Sequence, residues 1–144
     1  MQKSFITSLK RHIFSANNPL SNPVWDGNRP MILMNYWKAI AELLVSAPET
    51  ETVIFKTNGV ELFHTVSPTV FTHLATKSDF KTDTIKVLLK RGFNLPPEHI
   101  GMSHSEWWHR GGAASGLNRG AIGKLANALS LAMNVQDNAS GVQL

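Results

Sequence analysis

The sequence predicts a mainly α-helical fold, a single domain of about five or six helices. Three observations carry that expectation. Apolar residues recur at helical rather than alternating spacing along most of the chain. Prolines and Asn, Ser or Asp residues punctuate the stretches where helices should begin and end. The 144 residues suffice for one core without crosslinks or metals, so 1–144 is read as one domain.

From Ser4 to Phe14, the residues Phe5, Ile6, Leu9, Ile13 and Phe14 share one helical face. Asn17-Asn18-Pro19 and Ser21-Asn22-Pro23 then stop a helix, because proline lacks a donor and restricts its predecessor. Residues 15–28 therefore read as a long loop. A second helix is expected from Asn28 as N-cap, with Pro30 in its first turn and Ala47-Pro48 at its end. Its expected core stripe is Met31, Met34, Trp37, Ala41 and Leu44, widened by Leu33, Ile40 and Leu43.

Thr52–Phe55 is short and apolar, with β-branched residues at Thr52, Val53 and Ile54. It reads either as a short strand or as the lead-in to the next helix. Pro68 is expected to split the region after Gly59 into two helices, the second capped by Ser67. Ser78-Asp79 is expected to open a helix through Arg91 that buries Phe80, Ile85, Leu88 and Leu89 and stops at Gly92. The last helix should run from about Asn118 to about Asn134 on a stripe of Ile122, Leu125, Leu129 and Met133. Residues 135–144 read as a frayed tail.

Lys and Arg number 14 against 10 Asp and Glu, a net charge of +4, and the pI is near 9.6. Such a balance favours polyanion partners, because cations that neutralise phosphates release counterions. There is no cysteine, which excludes disulfides, thiolate metal sites and thiol catalysis and fits a reducing compartment. No apolar run reaches the ~18 residues of a membrane span. The expectation is a cytoplasmic protein with no membrane partner and no cofactor.

Three constellations are candidates for chemistry. The segment Arg110-Gly111-Gly112-Ala113-Ala114-Ser115-Gly116-Leu117-Asn118-Arg119 puts small residues and cations ahead of a helix whose first N–H groups are free, an arrangement suited to phosphate. Lys124 adds charge one turn further on. Equally, the segment reads as a flexible connector capped by Ser115 or Asn118. It is neither a Walker A loop nor a dinucleotide fingerprint. Lys56-Thr57-Asn58-Gly59 offers a second phosphate position at Lys56, or a plain turn in which Gly59 supplies an unusual backbone angle. His104, Glu106 and His109, with His99 nearby, could bind zinc. A five-residue gap between the two histidines misses one helical face, which favours surface histidines beside a buried tryptophan pair.

The order Tyr36-Trp37-Lys38-Ala39-Ile40, then Val53-Ile54-Phe55-Lys56-Thr57-Asn58-Gly59-Val60, then a helical region resembles the C-terminal part of DGQHR-domain proteins, which include the DNA-sulfur-modification regulators. Trp107-Trp108 and Ser115-Gly116-Leu117-Asn118 are compatible with that resemblance. It implies a prokaryotic or phage setting and DNA-linked work, such as regulating modification or defence genes. The Asp-Gly-Gln-His-Arg motif itself is not in this chain, and Asp26-Gly27-Asn28-Arg29 only echoes it.

The leading expectation is a DNA-associated accessory or regulatory domain that grips phosphates through Lys56, Arg110, Ser115, Asn118, Arg119 and Lys124, with Lys10 and Arg11 as additions. One alternative is a protein-interaction module, anchored by Trp25, Trp107 and Trp108, that pairs with a missing N-terminal core or a partner subunit. Another is a small phosphate-handling or metal-dependent enzyme centred on His104, Glu106 and His109.

Overall fold

Helix α2 (Thr57–Lys77) buries ten residues, from Gly59 to Leu74, and the rest of the chain is arranged around it. The computed structural model describes residues 7, 9–45, 52–109 and 113–141, with side chains except at 100, 113, 115 and 135–141. The fold is mainly helical. Its other α-helices are α1 (Arg29–Leu44), α3 (Thr82–Gly92) and α4 (Arg119–Gly141). α4 and the N-terminal turn lie against α2, while α3 packs between α1 and α4. Among the described residues, no helix is long and apolar enough to cross a membrane.

The N-terminal apolar segment widens into a single π-helical turn, Leu9–Ile13, closed by Phe14 N–H to the Leu9 carbonyl at 2.9 Å. Ile13 is fully buried and Phe14 is not, while Phe5 and Ile6 lie outside the described residues. The expected loop 15–28 is more ordered than its prolines suggest. Asn18 and Asn22 each cap a 3-10 turn that begins with proline, Pro19–Ser21 and Pro23–Trp25, where the missing proline N–H would be unpaired in any case. Arg29 ties the segment to α1. It pairs with Asp26 at 2.6 Å, donates Nε–H to the Leu20 carbonyl at 2.8 Å and sits over the Phe14 ring. The Asp26…Arg29 echo thus has a structural occupation.

α1 turns inward a face that overlaps the predicted one at Ile40 and Leu44, with Leu33, Trp37 and Leu43 packed beside it, but is rotated away from Met31 and Met34. Ile32, Tyr36, Ala39, Ile40 and Leu44 are buried, whereas Met31 and Met34 are 58% and 63% exposed. Tyr36 decides this register. Its ring meets Phe71 and its hydroxyl donates to the Phe63 carbonyl, so a residue with a polar tip is fully buried and satisfied. The helix ends at Leu44, ahead of Ala47-Pro48.

The strand reading of Thr52–Phe55 is corrected. Thr52 makes one antiparallel bridge to His109. The Val53 N–H reaches the Trp108 carbonyl at 2.7 Å, and the chain then turns, with Lys56 N–H bonded to the Val53 carbonyl. α2 starts at once, and Gly59 is needed there for closeness: a Cβ on it would stand 2.0 Å from the Ile54 carbonyl oxygen. Gly59 is helical, so the expected unusual backbone angle is not its role.

Pro68 does not break α2. It removes the N–H that would bond the His64 carbonyl, and the Ser67 hydroxyl donates to that same carbonyl at 2.6 Å. The orphaned acceptor is therefore satisfied from within the helix. Ser67 is not a cap; it is buried and accepts a 2.9 Å bond from the Asn18 amide. Ser78-Asp79 likewise ends one helix more than it opens the next. Ser78 takes the left-handed conformation at the C-cap of α2, while Asp79 accepts from the Lys81 N–H and the Thr84 hydroxyl. These bonds, the backbone one foremost, hold its carboxyl below the usual aspartate range.

α4 follows the expected stripe, with Ile122, Leu125, Leu129 and Met133 all buried. Its backbone continues helically to Gly141, past the predicted end at Asn134 and into the stretch expected to fray. Trp108 is fully enclosed in the core, 5.6 Å from the Phe63 ring and donating its indole N–H to the Met102 carbonyl at 2.9 Å.

Candidate functional site

α2 and α4 run parallel. Three side-chain contacts fix the register: Asn58 with Leu117, Thr69 with Ser130 and His73 with Asn134. Parallel packing sets the two N-termini side by side, so the partial positive charges of the two helix starts add at one end of the molecule. Asn58 makes the join. Its amide donates at 3.1 Å to the carbonyls of both Ala114 and Leu117, holding the small-residue turn Ala113–Gly116 against the start of α2. Asn118 caps α4, its side-chain oxygen accepting from the Ala121 N–H at 2.8 Å.

The sequence-predicted cations divide accordingly. Lys56 immediately precedes α2 and Arg119 begins α4; both are exposed at this shared end. Lys124 is also exposed, further along α4. Among the described residues no carboxylate pairs with Lys56, Arg119 or Lys124. Arg11 approaches from the N-terminal turn and pairs with Glu61, early in α2, at 3.4 Å; His12 reaches the same carboxylate at 2.8 Å. Lys10 is exposed on that turn. Arg110 lies outside the described residues, as does the side chain of Ser115, whose backbone belongs to the turn that Asn58 holds. An arrangement of unpaired cations around two helix starts can receive anionic oxygens through both side chains and backbone.

His104, Glu106 and His109 are spread along one 3-10 turn, Ser105–Trp108, with the two histidines at its caps. Among the described residues no three His, Cys, Asp or Glu side chains converge as a metal site would need. His109 is drawn toward Thr52 by the backbone bridge, while His104 and Glu106 are exposed. Of the tryptophans expected as exposed anchors, Trp108 is in the core. Trp25 is half-buried with its ring edge-on to Phe80 at 4.8 Å, and Trp107 is half-buried against Trp108.

Two adjoining grooves lie beside α4, and local sequence reasoning does not reach them as a unit. One, of about 430 Å³, includes Asn94, Glu98, His99, Lys124, Asn127 and Leu131 in its lining. The other, of about 250 Å³, adds Gly101, Trp107, Leu117 and Leu125. Glu98, His99 and Lys124 line both. The sequence marks Lys124 for phosphate, His99 for a metal and Trp107 for a protein partner, but not as one group, because Lys124 and His99 stand 25 residues apart and only the tertiary fold brings them together.

No family model, curated protein or solved structure matches this chain.

Proposed function

We propose that this protein is a DNA-associated accessory or regulatory domain that holds the phosphate backbone at the shared N-terminal end of α2 and α4. The observation that carries the reading is the parallel pairing of those helices through Asn58, which gathers Lys56 and Arg119 around two helix starts with no carboxylate partner among the described residues. The excess of Lys and Arg over acids supports it, as does the resemblance to the C-terminal part of DGQHR-domain proteins, whose setting is prokaryotic or phage DNA modification and defence. Binding of this kind positions a protein on a duplex and reads little sequence.

Fluorescence polarisation with a labelled duplex tests the reading. Affinity should fall steeply with salt and be similar for duplexes of unrelated sequence. The Lys56→Ala/Arg119→Ala/Lys124→Ala variant should bind more weakly, with a log–log salt slope shallower by about 2 to 3, one unit for each lost phosphate contact. An unchanged affinity and slope in that variant would sink the reading.

A further inference from the structure

We infer that the two grooves flanking Lys124 form one site for a nucleoside phosphate, with the base in the smaller recess against Trp107 and the phosphate at Lys124 and His99. Four residues with polar side chains line it: Glu98, His99 and Lys124 border both grooves, and Trp107 borders the smaller one. Among the described residues none of the four has a hydrogen-bonding or ion-pair partner. The recess is otherwise apolar, lined by Leu117, Ala121 and Leu125. Apolar walls bordered by a few polar side chains free of protein partners are the composition of a small-molecule site.

The wall contributed by Trp107 is held rigidly. Its ring packs edge-on to Trp108, centroids 4.9 Å apart. On another side it lies over Gly101, where a Cβ would approach the indole Cδ1 to 3.4 Å. An indole so fixed offers aromatic contact to a flat ring without an ordering cost. The mixed charge narrows the ligand further. A simple anion is drawn to Lys124 but repelled by Glu98. A ligand with an anion at one end and an exocyclic amino group at the other satisfies both, since the carboxylate accepts from the amine. Adenine, guanine and cytosine carry such an amine; uracil does not. The site shares Lys124 with the phosphate-binding end proposed above and otherwise stands apart from it.

Adenosine monophosphate titrated into ¹⁵N-labelled protein tests the assignment through the Trp107 indole N–H signal, identified by its disappearance in Trp107→Phe. The expected result is a saturable shift of that signal, with affinity at least about tenfold weaker in Lys124→Ala and weaker for uridine monophosphate than for adenosine monophosphate. Glu98→Gln should reduce the preference between the two bases. A short single-stranded oligonucleotide separates the sources: saturation at much lower concentration than the mononucleotide assigns the site to an unpaired nucleotide of a strand, and equal concentrations assign it to a free nucleotide. A Trp107 signal unmoved by millimolar mononucleotide and by the oligonucleotide overturns the inference. So does the same shift with inorganic phosphate alone at equal concentration. Lys56→Ala/Arg119→Ala should leave the mononucleotide titration unchanged while weakening duplex binding, so the two proposals fail separately.

Discussion

The indole N–H of Trp37 donates to Nε2 of His64 at 3.2 Å, which requires that nitrogen to carry no proton. His64 is fully enclosed. Burial first, then the neighbouring His12, pushes its pKa down from 6.5 to about 4, with Glu61 opposing.

Acid should therefore weaken the fold through His64. The unfolded chain takes up a proton near pH 6.5 that the folded chain refuses until about pH 4. Stability from this residue is full above that window and drains away as pH falls through it. His64→Gln keeps an acceptor for Trp37 and does not titrate. Urea unfolding should show the variant losing roughly 3 kcal/mol less than wild type between neutral pH and about pH 4. Parallel losses in the two proteins would contradict the assignment.

Ser67 and Pro68 should be energetically coupled. Ser67→Ala deprives the His64 carbonyl and the Asn18 amide of a partner, at a cost of about 1–3 kcal/mol. In a Pro68→Ala background the restored N–H supplies the His64 carbonyl, so the same change should cost less. A double-mutant cycle in denaturant reads the difference, expected at about 0.5 kcal/mol or more.

Two glycines should respond oppositely to alanine. Gly59→Ala drives a Cβ into the Ile54 backbone and should destabilise by about 3 kcal/mol, because neither backbone segment can yield without disturbing Trp108. Gly123 lies inside α4 with nothing within 4 Å of an added Cβ. Gly123→Ala should stabilise by about 0.5–1 kcal/mol. Thermal melts of the two variants side by side check both signs.

Asn58→Ala should weaken duplex binding although Asn58 carries no charge. It releases Ala114 and Leu117 and lets the lead-in to α4 drift from Lys56. Polarisation should show reduced affinity with the salt slope of wild type, since no phosphate-binding cation is lost. Circular dichroism confirms that the helices persist.

The legibility of the fold varied with how one-sided each helix is. In α4 the residues at the stripe positions are large and apolar and most of their neighbours, Leu131 apart, are small or polar, so periodicity found the buried face. α1 is apolar on nearly every side, and the choice between Met34 and Tyr36 as the inward residue depends on the Phe63 carbonyl that Tyr36 meets. Pro68 looked like a break because its compensation is a hydroxyl one residue earlier. For the site, the Asn118 cap and the cations at Lys56 and Arg119 were visible locally. Their convergence was not, because it depends on Asn58 reaching across the fold, and the grouping of Glu98, His99 and Trp107 with Lys124 depends on the same packing.

The parallel pairing of α2 and α4 also governs how the molecule assembles. Antiparallel neighbours can meet through a tight turn as soon as both exist, whereas a parallel partner must return along the whole length of the first. Here the chain from Ser78 to Asn118 makes that return journey, through α3 and the tryptophan pair. The loop must be closed before the contacts along α2 and α4 reward it. Refolding kinetics should then show α4 docking among the later steps, with the basic end forming as it docks.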